Sequence, residues 1–428
     1  MTPASSPANM RVLPDRPIRV CYLIDDLRVG GTETKLLRLI DKLDRSKVEP
    51  YFCLLRGENE TSRSMEPKSC PVERLGVGSL HHPATLVKLL RFAKTLRKWQ
   101  IDILQVQFPD STYFGVLAGA IARVPRIVRT RFNLFCWTTP FERTIGRRID
   151  GLYNLLFVDA MLADCRANAD AALATERPAP RAIAVIENGF DPAQFAPPRG
   201  TGFQPVNQRR PGFQPVANCQ TGWETCPTTN GYARVGAVAN LRPLKRIDVL
   251  VEAAAILAQD RPHVSFEVAG DGPARPELER RIGELGLRDK FHLPGVVRDI
   301  PGFLAPLDIA VLCSESEGGS NALAEYMMAG RAIVATAVPG NVEMIDDGVH
   351  GLLVPPNDPP SLARAIRRLL CNPQLAARLG GAARRRAMEK FGLDTMIERY
   401  HRFYANLLHD GSGNPSLERS TPAADAKS

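Results

Sequence analysis

No stretch of this chain approaches the roughly 18 consecutive apolar residues that cross a bilayer as a helix. The opening run MTPASSPANMRVLPDRP is polar and proline-rich, without the apolar centre of a secretory signal. Together these predict a soluble, cytoplasmic protein. Cysteine is sparse and odd in number: nine residues, several inside apolar runs (Cys21, Cys53, Cys313). Buried reduced thiols are expected, rather than a disulfide framework or a metal cluster. The one close pair, Cys219 and Cys226, lacks CxxC spacing and a second pair, so no zinc site is expected. The basic clusters Arg367-Arg368 and Arg384-Arg385-Arg386 have no interleaved aromatics to stack bases, so no nucleic acid partner is expected. The pentapeptide GFQPV occurs twice, at Gly202 and Gly212, too few copies for a solenoid.

What is present is globular: 428 residues, 44% hydrophobic and 24% charged. That length accommodates two or three domains, each able to bury a core. The net charge of +9 reads first as a solvated surface. Peripheral contact with an anionic membrane surface, at its inner face, is the next reading.

Short β-rich runs alternate with helical patterns. IRVCYLI, from Ile18, is a buried strand. The Gly30-Gly31 turn follows, then TETKLLRLIDKL, with Leu36, Leu37, Ile40 and Leu43 at helical period. YFCLL, DILQVQ, RIVRT, AMLAD and AIAVIENG read as further strands, and LVKLLRFAKTLRKW and FGVLAGAIARV as helices. The pattern restarts with ARVGAVA, followed by IDVLVEAAAILAQ, VSFEVAG, ELERRIGELGL, FHLPG, IAVLC, AIVAT and GLLVP. Alternation of this kind predicts α/β architecture with parallel sheets, in two domains facing across a cleft. The expected boundaries are a disordered N-terminus at 1–17, a first domain at 18–198 and an inserted, mobile linker at 199–231. A second domain at 232–390, a helix at 391–410 packing back toward the first domain, and a disordered tail at 411–428 complete the division. The linker is rich in Gly, Pro, Gln, Asn and Thr and has too little apolar content to order itself.

SESEGGSNALAEYMMAG, Ser314 to Gly330, places Glu317 and Glu325 eight positions apart across a glycine pair. DIAVLCS before it reads as a buried strand. NALAEYMMAG reads as a helix capped by Ser320 or Asn321 and ended by Gly330. A helix N-terminus offers free N–H groups and partial positive charge, which suits a pyrophosphate. Gly318 and Gly319 let backbone approach it closely. Glu325 can accept hydrogen bonds from a ribose diol, and Glu317 can reach hydroxyls of a sugar beyond the phosphates. The plainer alternative is one solvated loop acid and one surface helix acid. In VGAVANLRPLKRIDVL, Arg242 and Lys245 lie just after a strand and can reach the same phosphates. The plainer alternative for them is a solvated basic loop.

These segments resemble the retaining glycosyltransferases of family 4, the group 1 class with the GT-B fold, from about Ile18 to Leu408 apart from the insert. Glu317 and Glu325 fall on the two glutamates of the family's E-x7-E signature. The resemblance implies that Glu317 meets the donor sugar and Glu325 the ribose. It implies that the backbone of Gly318, Gly319, Ser320 and Asn321 meets the diphosphate and sugar, and that Lys245 binds phosphate. Val297, in LPGVVRDIPGFLAPLDI, is the implied backbone contact to the base. VGGTETK resembles the N-terminal glycine loop, with Gly30 and Gly31 facing diphosphate and acceptor. Three departures stand out. Asn240 occupies the position of a common family Arg, for which Arg242 can substitute. Gln105 and Gln107 replace an HxH pair. Phe132 replaces a family His near the donor sugar, with Arg131 and Asn133 beside it as candidate acceptor-side groups. Asp26 is expected to hold an acceptor or cap a turn, and His81 and His82 to be solvated.

The resemblance implies a hexosyltransferase-type enzyme that moves a sugar from a UDP- or GDP-sugar to an acceptor hydroxyl with retention. The setting is polysaccharide, glycolipid or other glycan biosynthesis, with a glycan or lipid-linked acceptor. Glu317, Arg242 and Lys245 are the implied catalytic groups, without a metal or other cofactor. No metal-holding DxD follows a strand. The alternatives are a catalytically silent GT-B protein that binds nucleotide or glycan as an assembly partner, and a nucleotide-sugar epimerase. The second needs acid–base residues that Phe132, Gln105 and Gln107 do not supply.

Overall fold

The computed structural model describes residues 15–27, 31–56, 63, 65–131, 146–176, 182–195, 233–261 and 263–409. The expected linker at 199–231 and tail at 411–428, most of the expected disordered N-terminus, and Gly30, Phe132 and Asn133 lie outside the described residues. The chain forms two compact units, one running to Ile186 and taking in residues from Met396 onward, the other running from Glu187 to Thr395.

The first unit is built on strands β1 (Ile18–Ile24), β2 (Val48–Leu54), β3 (Val72–Arg74), β4 (Ile103–Val106), β5 (Arg126–Arg131), β6 (Ala160–Ala163) and β7 (Ile183–Val185). They form one parallel sheet in the order β3-β2-β1-β4-β5-β6-β7. Its helices are α1 (Gly31–Lys42), α2 (Ala84–Lys98), α3 (Pro109–Ala122), α4 (Arg147–Leu156) and α5 (Arg166–Thr175). β1 and β4 are buried almost throughout, as strands covered on both faces must be. α2 buries Leu89, Phe92, Ala93 and Leu96 at helical spacing, and Phe92 stacks on Phe114 of α3 at 6.0 Å.

The second unit repeats the plan. Strands β8 (Ala233–Val238), β9 (Val264–Ala269), β10 (Phe291–Gly295), β11 (Ile309–Leu312), β12 (Ala332–Thr336) and β13 (Leu352–Val354) are all parallel, in the order β10-β9-β8-β11-β12-β13. Helices α6 (Ile247–Ala258), α7 (Arg275–Glu284), α8 (Ile300–Leu304), α9 (Asn321–Met328), α10 (Pro339–Met344), α11 (Pro359–Cys371) and α12 (Pro373–Lys390) surround this sheet. In both sheets the order reverses between two central strands, β1 and β4 in one, β8 and β11 in the other. Open α/β sheets hold ligands at the carboxyl ends of such a pair, because the loops there diverge to opposite faces.

The last helix, α13 (Leu393–His409), belongs from Met396 onward to the first unit. Tyr404 there shares a 3.0 Å hydrogen bond with the Tyr22 hydroxyl and donates to Gln105 Oε1 at 2.7 Å. Arg126 donates to the Leu407 carbonyl at 2.8 Å.

The thiols of Cys21, Cys53, Cys165 and Cys313 are buried and free, as apolar burial predicts. Cys371 departs from that expectation and is disulfide-bonded.

Candidate functional site

In the second unit, β8 delivers the chain into a loop that ends in a 3-10 turn, Pro243–Lys245, before α6. β11 delivers it into the loop leading to α9. These are the two strands at the reversal of the sheet order, and their loops are joined. Glu315 N donates to the Leu244 carbonyl at 3.0 Å, and Cys313 Sγ to the Lys245 carbonyl at 3.4 Å. Lys245 Nζ donates to Glu317 Oε1 at 2.7 Å, and the same oxygen accepts from Ser314 Oγ at 2.6 Å. Glu317 is therefore no solvated loop acid: it is 8% exposed and held by a cation and a hydroxyl. Both partners converge on Oε1, so Oε2 is the oxygen left for a further donor.

Ser314 was not picked out from the sequence, although its place at the carboxyl end of a strand, three residues before Glu317, carries that signal. Arg246, also passed over, pairs with Asp248 at 2.9 Å and lies 3.6 Å from Glu315. The hydrogen bonds to Asp248 and the nearby carboxylates raise its guanidinium pKa above the ordinary value. Arg242 is exposed, and its guanidinium makes no hydrogen bond or ion pair with a described residue.

The capping expectation holds in detail. Ser320 is the N-cap of α9, accepting from Leu323 N at 3.3 Å. Gly330, at φ +64°, follows its last turn, where an L side chain would be strained. The first turn of α9 contains no acid, so its partial positive charge is not neutralised locally. Asn321 Oδ1 accepts from the Asn188 side-chain amide. Glu325 is partly exposed one turn further along, while Tyr326 beside it is buried with its hydroxyl receiving Val238 N at 2.6 Å.

The loop is supported from below. A Cβ at Gly340 would overlap the carbonyl oxygens of Gly318 and Glu317, so only glycine lets α10 pack that closely beneath it. Thr336 Oγ1 donates to the Ser314 carbonyl at 2.6 Å, and Asn341 Nδ2 to the Thr336 carbonyl at 2.9 Å. Gly270, at φ +141°, plays a matching part under the β8 loop, against Ala239. Glu317, Lys245, Gly318, Gly319, Ser320 and Asn321 are thus gathered around two adjoining loops. Val297 is partly buried two residues beyond the end of β10, at the sheet's edge, and no described bond ties it to that group.

In the first unit, Gly31 opens α1 and Asp26 lies just past β1. Its neighbour Asp25 accepts from Ser111 N at 2.6 Å, receiving a free N–H at the start of α3. Burial pushes the Asp25 carboxyl pKa up. Arg131, expected on the acceptor side, has a guanidinium 1% exposed and ion-paired with Glu176 at 2.6 Å. Glu176 also accepts from Arg129 at 3.1 Å and from Asn154 at 2.7 Å, and Arg129 pairs with Asp150 at 3.2 Å. Arg131 therefore sits in a buried network that ties β5 to α4 and to the end of α5, a structural role that sequence reasoning did not give it. Gln105 serves the Tyr404 contact, and Gln107 Oε1 accepts from Thr130 Oγ1 at 3.1 Å. His81 and His82 are exposed, as expected.

The two units match known protein families. A family model described as a glycosyl transferase 4-like domain matches residues 30–189, and one described as glycosyl transferases group 1 matches residues 233–372. The alpha-D-kanosaminyltransferase of Streptomyces kanamyceticus is 36% identical over 158 residues, 36% of this chain and 41% of that protein. The 2-deoxystreptamine glucosyltransferase of the same organism is 26% identical over 340 residues, 74% of this chain and 81% of that protein. The chain spans about half the length of the first curated relatives it matches. Among solved structures, Anabaena HepE in complex with UDP and glucose superposes with a TM-score of 0.73 at 21% identity, over 91% of this chain and 100% of that one. That likeness carries the fold, GT-B. Two matched segments take in more than half of the chain, and each falls on one of the two parallel-sheet units. With these sheets and loops, the chain belongs to the group 1, family 4-like glycosyltransferases.

Proposed function

We propose that the chain is a retaining, metal-independent glycosyltransferase that moves a sugar from a nucleotide-sugar donor to an acceptor hydroxyl in glycan biosynthesis. The observation that carries this reading is the Lys245–Glu317 pair, which joins the two loops at the sheet reversal beside the start of α9. Lys245 keeps two N–H donors after its bond to Glu317, and Arg242 adds a cation without a described partner. With the N–H groups of Gly318, Gly319, Ser320 and Asn321, they form a cradle for a diphosphate. In this reading Glu317 Oε2 accepts from a donor-sugar hydroxyl, Glu325 from the ribose, and the backbone at Val297 meets the base. Gly30, Gly31, Asp26 and Asn133 are assigned to the acceptor side.

In the transfer, the bond from the anomeric carbon to the phosphate oxygen breaks as the acceptor oxygen bonds to the same face. The acceptor's proton passes to the departing phosphate oxygen. Charge therefore grows on the diphosphate, where Lys245, Arg242 and the α9 N-terminus stabilise it without reorganising. UDP is the first donor nucleotide to test, since HepE is a fold neighbour solved with it. 2-Deoxystreptamine belongs among the first acceptors, from the name of one relative.

The test is the thermal midpoint of the purified chain with UDP, GDP and ADP, with and without Mg²⁺. A metal-independent rise with one of them supports the cradle and names the base. No rise with any nucleotide overturns it and leaves the silent GT-B protein as the better reading. Turnover of the matching nucleotide sugar, with the product's anomeric configuration read by NMR, then tests retention.

A further inference from the structure

The first unit carries an outer face that neither its fold nor the proposed reaction accounts for. Helices α2, α3 and α4 follow β3, β4 and β5, and the right-handed crossovers of a parallel sheet place all three in one layer. Their mutual contacts bear this out. α2 and α3 meet through Phe92 and Phe114, and Arg97 donates to the Ile121 carbonyl. α3 and α4 meet through Tyr113 and Tyr153 at 5.6 Å.

The outward side of that layer is apolar. On α2, Leu86, Val87 and Leu90 are 63%, 51% and 50% exposed. Leu117 and Ile121 are the exposed large apolar residues of α3. On α4, Leu152, Leu155 and Leu156 project outward at helical spacing. Among the described residues of the second unit, the large exposed apolar residues are Leu244, Val296, Val342, Val349 and Met388, spread over separate loops and helices of the sequence.

Across α2, α3 and α4 the exposed charge has one sign, and the acid Asp170 lies on the next helix, α5. α2 contains no acid. α3 contains only Asp110, which is paired with Arg56, and α4 only Asp150, which is buried against Arg129. Arg91, Lys94 and Arg148 are exposed and make no hydrogen bond or ion pair with a described residue. Two copies docked through this face about a two-fold axis would set these cations against their own kind. A broad apolar surface threaded with cations and free of unpaired acid complements an anionic bilayer, which supplies headgroup phosphates and acyl chains together.

We infer that the outer face of α2, α3 and α4 seats the protein on an anionic membrane. This goes beyond the glycosyl-transfer reading and does not rest on it. The surface also differs from the C-terminal arginine clusters, since it combines apolar and basic groups on one layer.

The experiment is co-sedimentation of the full chain with sucrose-loaded vesicles, in the absence of nucleotide. Vesicles of phosphatidylcholine with phosphatidylglycerol are compared with vesicles of phosphatidylcholine alone. Binding to the anionic vesicles is expected to be at least about tenfold stronger, as several basic residues near such a surface give. It should be lost in Leu90→Glu/Leu152→Glu and weakened at least about thirtyfold in Arg91→Glu/Lys94→Glu. Val342→Glu, an exposed position of the second unit, should bind like the parent. All of these positions are exposed, and an unchanged thermal midpoint verifies that each variant folds. Absence of wild-type binding to anionic vesicles, or equal binding by the Leu90/Leu152 variant, overturns the inference. So does a dimer in light scattering that the same variant dissociates, because the face would then cover a second copy.

Discussion

Lys245 Nζ and Glu317 Oε1 stand 2.7 Å apart, joining loops that are separated in sequence by three strands and three helices. Under the proposed mechanism the two residues answer to different parts of the donor. Lys245→Ala should weaken UDP binding about ten- to a hundredfold, the range of a lost charge-assisted hydrogen bond. Glu317→Gln should leave UDP affinity within about threefold while lowering turnover about a hundredfold or more. Calorimetry with UDP, beside release of UDP from the donor, separates the two. Equal loss of UDP affinity in both variants would reduce Glu317 to a support for Lys245.

Glu325→Ala should weaken UDP about tenfold, from loss of hydrogen bonds to a carboxylate. A UDP analogue lacking the ribose hydroxyls should bind the parent more weakly than UDP does. The variant should not distinguish them. A variant that still distinguishes them would remove Glu325 from the ribose.

Gly340→Ala tests the support under the loop. Its Cβ would overlap the Gly318 and Glu317 carbonyl oxygens, so backbone must move. A cost of about 1–3 kcal/mol is expected from overpacking, visible as a fall of several degrees in the thermal midpoint. UDP binding should fall with it, because the displaced loop carries the nucleotide-facing N–H groups.

Glu176→Gln should be the most damaging single change among these. Glu176 is fully buried and neutralises Arg129 and Arg131 together. Removing its charge takes a carboxylate from two buried guanidinium groups, of which Arg129 keeps its pair with Asp150, at a cost of about 3–5 kcal/mol by denaturant unfolding. Adding Arg131→Met should recover part of that loss. A double variant no better than the single would show that the network does not act through charge balance.

His401 sets a pH dependence. Asp44 N donates to His401 Nε2 at 3.3 Å, a bond that needs the neutral ring, and burial lowers the imidazole pKa below its ordinary value. The unfolded chain then binds the proton more readily. Stability from this group is complete above the unfolded pKa of about 6.5 and declines as pH falls toward the folded value. Thermal midpoints at pH 7.5 and 5.5 should therefore fall further apart in the parent than in His401→Gln. Equal pH dependence would show that the proton uptake lies elsewhere.

Local pattern explains what the sequence made legible. IAVLC is short, apolar and β-branched, and NALAEYMMAG has a serine cap and a glycine stop. The strand, loop and helix around Glu317 follow from neighbours alone. The alternation of such units predicts both parallel sheets. The pairing of Lys245 with Glu317 and Ser314 depends on the placement of β8 beside β11, which no local window contains. Arg131 shows the same limit. Its bond to Glu176, 45 residues along the chain, depends on the placement of β5 against the end of α5. The outer face of α2 and α4 escaped notice because an exposed leucine and a buried one occupy the same helical period.

The Tyr22–Tyr404–Gln105 contact has a bearing on the order of synthesis. The first unit includes residues from Met396 onward, so it cannot be completed until the ribosome has made the whole of residues 187–395. During that interval Tyr22 and Gln105 wait without their partner, while the second unit, continuous in sequence, can close on itself. A nascent chain arrested near Thr395 should therefore present one protease-resistant body, the later-made one, and release of the next helix should protect the body that was begun first.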